Sequence, residues 1–118
     1  MQKRQSKTGL KKAINDYFFR MFVKIHNSYR DVVAICDSDL VGKRFEEGKF
    51  QLDVKENFFR GEEIGEEKVI KILRDMAAED STFNIIGEKS TNTAIKAGLI
   101  TKEGIKKIQG VPFALILL

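Results

Sequence analysis

The chain has 118 residues, 42% of them apolar, a net charge of +4, one cysteine and one histidine. That length suits a single domain able to bury a core without disulfides, and Cys36 has no partner with which to form one. Cys36 and His26 cannot make a zinc site, so neither a metal nor a cofactor is expected. The longest apolar run, VPFALILL, is far short of the roughly 20 residues that span a bilayer, and the basic N-terminus lacks the features of a signal peptide. These exclusions predict a cytoplasmic protein with no membrane partner.

The charge is unevenly placed. Residues 1–20 hold Lys3, Arg4, Lys7, Lys11, Lys12 and Arg20 against Asp16 alone, while the rest of the chain is nearly neutral. In this segment Leu10, Ile14, Tyr17 and Phe18 share one helical face, with Thr8 as a cap. The segment reads as an amphipathic helix on the domain, as an extension upstream of a start at Met21, or as a basic arm for RNA.

From Met21 the pattern becomes strand-like. MFVKIHN alternates, Asn27 to Arg30 is turn-like, and Asp31 to Asp37 is β-branched and apolar, which predicts a β-hairpin. Ser38 or Asp39 is positioned to cap a short helix ending at Gly48. Phe50 to Val54 alternates as a third strand, and Asn57 to Glu63 reads as a loop anchored by Phe58 and Phe59. Glu66 to Glu79 is the strongest helix, with Val69, Ile70, Leu73, Met76 and Ala77 in one stripe and Glu66, Glu67 and Lys71 facing water. Thr82 to Ile86 is a strand, and Glu88 to Ala97 a helix stopped by Gly98. Thr101 to Lys107 makes a helical turn, Gly110-Val-Pro112 breaks it, and Phe113 to Leu118 is a final apolar strand. Hairpin first, then strands alternating with helices: the pattern predicts a single α+β domain over residues 21–118 with a mixed sheet of about five strands.

The stretch GEKST at Gly87–Thr91 has the residue types of a phosphate-binding loop between strand and helix. The Walker pattern needs G-x-x-x-x-G-K-[ST], so that successive backbone N–H groups wrap the phosphates. Here the first glycine is absent, and Glu88 intrudes before the lysine. The sequence favours a strand-to-helix turn, with Gly87 at the cap and Glu88 favourable to the helix dipole.

Cys36, Asp37, Asp39, Asn84, Gly87 and Glu88 form a ligand-site candidate. They lie at or near the ends of two strands, where open α/β sheets bind small molecules, provided that those strands are parallel neighbours. Asp37 and Asp39 fit no calcium loop. Cys36 has no histidine base that the sequence can assign, and reads as a small buried hydrophobe or as a nucleophile. For nucleic acid, the candidates are Lys3, Arg4, Lys7, Lys11, Lys12, Lys43, Arg44 and Arg60, with Phe58 and Phe59 available to stack bases.

Taken together, CDSDLVGKRFEEG, FFRGEE, NIIGEKSTNTAIKAGLI and IQGVPFALIL resemble, in order, an archaeal family of unknown function, domain of unknown function 424, over about residues 21–118. The resemblance implies a small archaeal protein with no settled activity. In that family the segment after Gly-Val-Pro often carries histidine; this chain has Phe113, so no histidine chemistry is implied there. Three functions stay open. The first is a non-catalytic module for RNA or the ribosome. The second is an assembly factor or homodimer using the terminal FALILL. The third is a small-molecule enzyme near Cys36–Asp39 and Asn84–Glu88.

Overall fold

The computed structural model describes residues 20–117. The helix expected in residues 1–20, with Lys3, Arg4, Lys7, Lys11 and Lys12, lies outside them but for Arg20. The described chain is α+β in three layers. Its centre is a six-stranded mixed sheet built from β1 (Met21–His26), β2 (Val32–Asp37), β5 (Glu62–Ile64), β6 (Thr82–Ile86), β7 (Lys106–Ile108) and β8 (Val111–Ile116), in the order β5-β1-β2-β6-β8-β7. The expected hairpin is present: β1 and β2 are antiparallel, with Val23 opposite Ile35. β2 and β6 are parallel, and every other pairing is antiparallel.

Strand alternation sends two apolar sets to opposite faces. One set, Val23, Val33, Ile35, Phe83 and Ile85, packs under α2 (Glu66–Ala77) and α3 (Glu88–Lys96), with Val69 and Leu73 of α2 fully buried. The other set, Phe22, Ala34, Cys36, Ile86 and Ile108, is covered by the hairpin of β3 (Arg44–Glu47) and β4 (Phe50–Asp53) and by the single turn α1 (Glu56–Phe59). Leu52, Val54 and Phe59 are the contacts that this second layer buries.

Helix α3 packs on the sheet with Ser90, Thr91, Thr93 and Ala94 as its buried side. Small residues let the helix approach closely, and the two threonine hydroxyls find partners within the helix and its cap. Thr91 Oγ1 donates to the Gly87 carbonyl at 2.9 Å, and Thr93 Oγ1 to that of Lys89 at 2.8 Å.

Three stretches differ from the sequence-based expectation. Ser38 to Gly48 is no helix but a 3-10 turn (Ser38–Leu40) followed by β3. Gly42, at φ 84°, turns the chain, and Gly48, at φ 59°, forms the tip of a tight hairpin in which Glu47 faces Phe50. Residues 56–64 hold α1 and the edge strand β5 rather than a loop. Thr101 to Lys107 divides into a 3-10 turn (Lys102–Gly104) and β7, so the main sheet gains strands at both edges. The break expected over Gly110-Val-Pro112 is a turn at Gln109-Gly110, both at positive φ, while Val111 and Pro112 already lie inside β8. Glu66 is half-buried instead of facing water, and its carboxylate takes the Lys96 ammonium at 2.6 Å, joining α2 to α3.

Candidate functional site

The parallel pairing of β2 with β6 sets Cys36 opposite Ile86, so Asp37 and Gly87 leave the sheet side by side. Gly87 caps α3 at φ 114°, and a side chain there would overlap the Asp37 carboxylate. Only glycine allows that approach. The carboxylate fills the position that a bound anion would take at a helix N-terminus. Asp37 Oδ1 accepts from the Ser90 backbone N–H at 2.8 Å and from Ser90 Oγ at 2.7 Å, and Oδ2 accepts from the Lys89 N–H at 3.1 Å. The two backbone N–H groups are orphan donors of the first helical turn. The GEKST turn therefore has an anion, supplied from within the chain. Asp37 is 5% exposed. Burial pushes its carboxyl above the ordinary range, against the lowering effect of its bonds to Ser90 and Lys89.

The neighbouring thiol is inert. Cys36 is fully buried, and burial, then the adjacent Asp37, pushes it up to about 12. Burial and a raised pKa both disfavour the thiolate that a nucleophile needs. The rest of the candidate set is dispersed. Asp39 sits exposed in the 3-10 turn, and Asn84 lies further down β6, opposite Ala34. Glu88 is exposed and lines a different cavity. His26 is held by a contact with the Phe58 carbonyl at 2.9 Å and stacks on the Phe58 ring, so Phe58 and Phe59 serve as anchors for α1.

The cationic candidates also separate. Arg60 pairs with Glu56 at 2.7 Å and lies over the Phe22 ring on β1. β1 and β7 are four strands apart, roughly 19 Å at the usual spacing. Lys43 and Arg44 belong instead to the β3–β4 hairpin, which packs against β7. Arg44 is engaged by Glu46 and Gln51. The hairpin tip is tied to the β7–β8 turn by the Gln109 N–H, which donates to Glu47 Oε1 at 2.9 Å. Lys49 and Phe50 stand at that tip, and Phe50 is 71% exposed. Edge strand β7 adds Lys106 and Lys107, and the preceding turn adds Lys102. Lys43, Lys49, Lys102, Lys106 and Lys107 make no ion pair among the described residues.

Between α3 and the 102–112 segment lies a groove of about 510 Å³, lined by Asn92, Ile95, Lys102, Ile105, Lys107 and Pro112, with Glu88 and Thr91 at the helix end. The sequence did not point to this groove, nor single out Lys49, Phe50, Lys106 and Lys107 as site candidates. The signal for Phe50 misleads: it shares the inward phase of Leu52 and Val54, but the hairpin tip reaches the edge of the sheet and leaves it uncovered.

The family of proteins of unknown function DUF424 matches residues 25–118. The chain belongs to this DUF424 family. Its fold is similar to that of an uncharacterized conserved protein from Methanopyrus kandleri, known from a crystal structure. The identity is 27% and the TM-score 0.74, with 83% of this chain and 92% of that one covered. No curated protein matches the chain. The DUF424 match starts within β1 and takes in the Asp37–Gly87 contact, the hairpin and the groove. Among the described residues, no helix is long and apolar enough to cross a membrane, and no group of acidic, histidine and cysteine side chains is arranged to hold a metal.

Proposed function

We propose that this DUF424 protein is a non-catalytic cytoplasmic module that binds RNA, alone or in a ribonucleoprotein, along β7 and the β3–β4 hairpin. The observation that carries this is an exposed sheet edge with Lys43, Lys49, Lys106 and the exposed Phe50 on the hairpin side and Lys102 and Lys107 on the side of α3, none of these lysines making an ion pair among the described residues. The opposite edge of the sheet carries Glu62 and Glu63 instead. A row of ammonium groups tracks phosphates, and an unburied aromatic gives a base a surface to stack on. Lys3, Arg4, Lys7, Lys11 and Lys12 add further charge of the same sign. The lack of catalysis is supported by the state of the two groups best suited to it: the Cys36 thiol is buried and protonated, and Asp37 is occupied by α3.

The test is fluorescence anisotropy of a short mixed-sequence single-stranded RNA, titrated with the full chain at low and moderate salt. The logarithm of affinity should fall with the logarithm of salt by about 0.7 per phosphate neutralised. A Lys49→Glu, Lys106→Glu double variant should weaken binding and flatten that slope. Absence of binding at low salt, or binding indifferent to salt and to both charges, refutes the reading.

A second reading, protein assembly or homodimerisation, is favoured by Leu115 and Leu117, 61% and 71% exposed at the end of β8. Sedimentation velocity over a wide concentration range tests it, and a strict monomer rejects the homodimer.

A further inference from the structure

We propose that the groove between α3 and residues 102–112 receives one base of the bound strand and selects guanine. This rests on the RNA reading above. Its volume of about 510 Å³ lies within the ~300–1,000 Å³ usual for ligand pockets. The lining is divided by chemistry in the way a nucleotide is. Ile95, Ile105 and Pro112 offer apolar surface to the faces of a ring. Lys102 and Lys107 offer charge to the phosphates beside it. Asn92 and Glu88, on successive turns of α3, offer hydrogen-bonding groups to its edge.

Glu88 gives the site its selectivity. It is exposed and makes no ion pair among the described residues, so its acceptors are free for a ligand. A carboxylate needs two adjacent donors, and guanine presents N1–H and the 2-amino group side by side. Adenine and cytosine present an amino group next to an unprotonated ring nitrogen. Uracil presents N3–H between two carbonyl oxygens, which repel a carboxylate. The Asn92 amide is suited to the acceptor side of the same base.

The groove and the hairpin surface meet at β7. Alternation along that strand places Lys106 on the side of buried Ile108, against the hairpin layer, and puts Lys107, opposite Pro112, on the side of α3. A strand crossing this edge meets Lys106 and Phe50 on one face and Lys107 and the groove on the other.

The experiment is amide-resolved NMR of the isotopically labelled full chain, titrated separately with GMP, AMP, CMP and UMP. GMP should shift amides in α3 and in residues 105–112, with at least about tenfold preference over the other three, the scale of one bidentate base contact. Glu88→Gln replaces one acceptor by a donor and should abolish the preference while leaving the rest of the spectrum unchanged. Ile95→Trp should fill the groove and block all four nucleotides. Equal shifts with all four, shifts outside the groove, or an intact preference in Glu88→Gln would overturn the proposal. The two readings fail separately. Salt-sensitive RNA binding with no guanine preference leaves the RNA surface standing and removes the groove. GMP binding in the groove with no affinity for RNA removes the RNA reading and assigns the groove to a free nucleotide.

Discussion

Replacing Asp37 with alanine removes the acceptor for three donors at once. The Ser90 N–H and hydroxyl and the Lys89 N–H all point at the vacated carboxylate, and Ser90 is fully buried. Loss of a helix cap costs about 0.5–2 kcal/mol. A buried donor left without a partner costs about 1–3 kcal/mol more. The cost of keeping a carboxylate buried disappears at the same time, so the net loss should be about 2–3 kcal/mol. Asp37→Asn keeps one oxygen acceptor but turns an amide N–H₂ toward a remaining donor, and should lose roughly half as much. Urea unfolding followed by circular dichroism measures both. The pH dependence carries a sign. The folded Asp37 carboxyl binds its proton more tightly than the unfolded one, whose ordinary value is 3.8. The folded state therefore holds more protons in the window just above that value, and this group's contribution to stability falls as pH rises through it. Subtracting the Asp37→Asn curve from that of the wild type should expose the fall. An alanine variant within about 0.5 kcal/mol of the wild type, the range of an uninvolved surface change, would refute the capping argument. A difference curve that rises with pH would refute the account of burial.

Gly87→Ala should cost as much as a core truncation, because it combines an unfavourable φ of 114° with overlap on Asp37; a loss of about 3 kcal/mol or more is expected in the same urea assay. Leu73→Ala, at a fully buried position of α2, should lose about 2–5 kcal/mol. Native Cys36 should resist alkylation at mildly alkaline pH and react on unfolding, since it is fully buried and its thiol titrates only near 12; mass spectrometry with and without denaturant reads this directly. Phe50→Ala should leave stability within about 0.5 kcal/mol, yet weaken RNA binding by about tenfold if one base stacks there.

The layout of the fold was largely legible, because alternation and helical periodicity report burial directly. The β1–β2 hairpin, β6, α2 and α3 all follow from their own residues. The elements that were misread are short and lack a period of their own. Arg44–Glu47 has one apolar residue, Phe45, and becomes a strand only because it pairs with Phe50–Asp53. Glu62-Glu63-Ile64 and Lys106-Lys107-Ile108 are charged edge strands, recruited by β1 and β8. The site was legible in part. The GEKST turn was correctly read as lacking the Walker pattern, with Gly87 as its cap. The carboxylate that completes it comes from a residue 50 positions earlier in the chain, and no local rule names that partner. The groove was illegible for the same reason. Its walls are α3 and a segment beginning several residues later, and only the return of β8 beside β6 brings them together.

The capped turn also bears on what kind of binding this surface supports. In a phosphate-binding loop, fixed backbone N–H groups and the helix dipole hold one ligand in one geometry. Here Asp37 consumes those donors, and the tight approach at Gly87 leaves no room for an external anion beside it. Under the proposed function, attraction for anions would rest on lysine side chains at an exposed edge. Ammonium groups on flexible stems do not orient a reacting phosphoryl group, but several together hold a polyanion in a salt-sensitive way. Specificity must then come from shaped features beside the lysines, and the described surface offers two: the Phe50 ring and the groove ending at Glu88. The same internal contact that argues against a phosphate-binding loop is compatible with the proposed reader of single strands, in which charge would supply attachment and the two small sites choice.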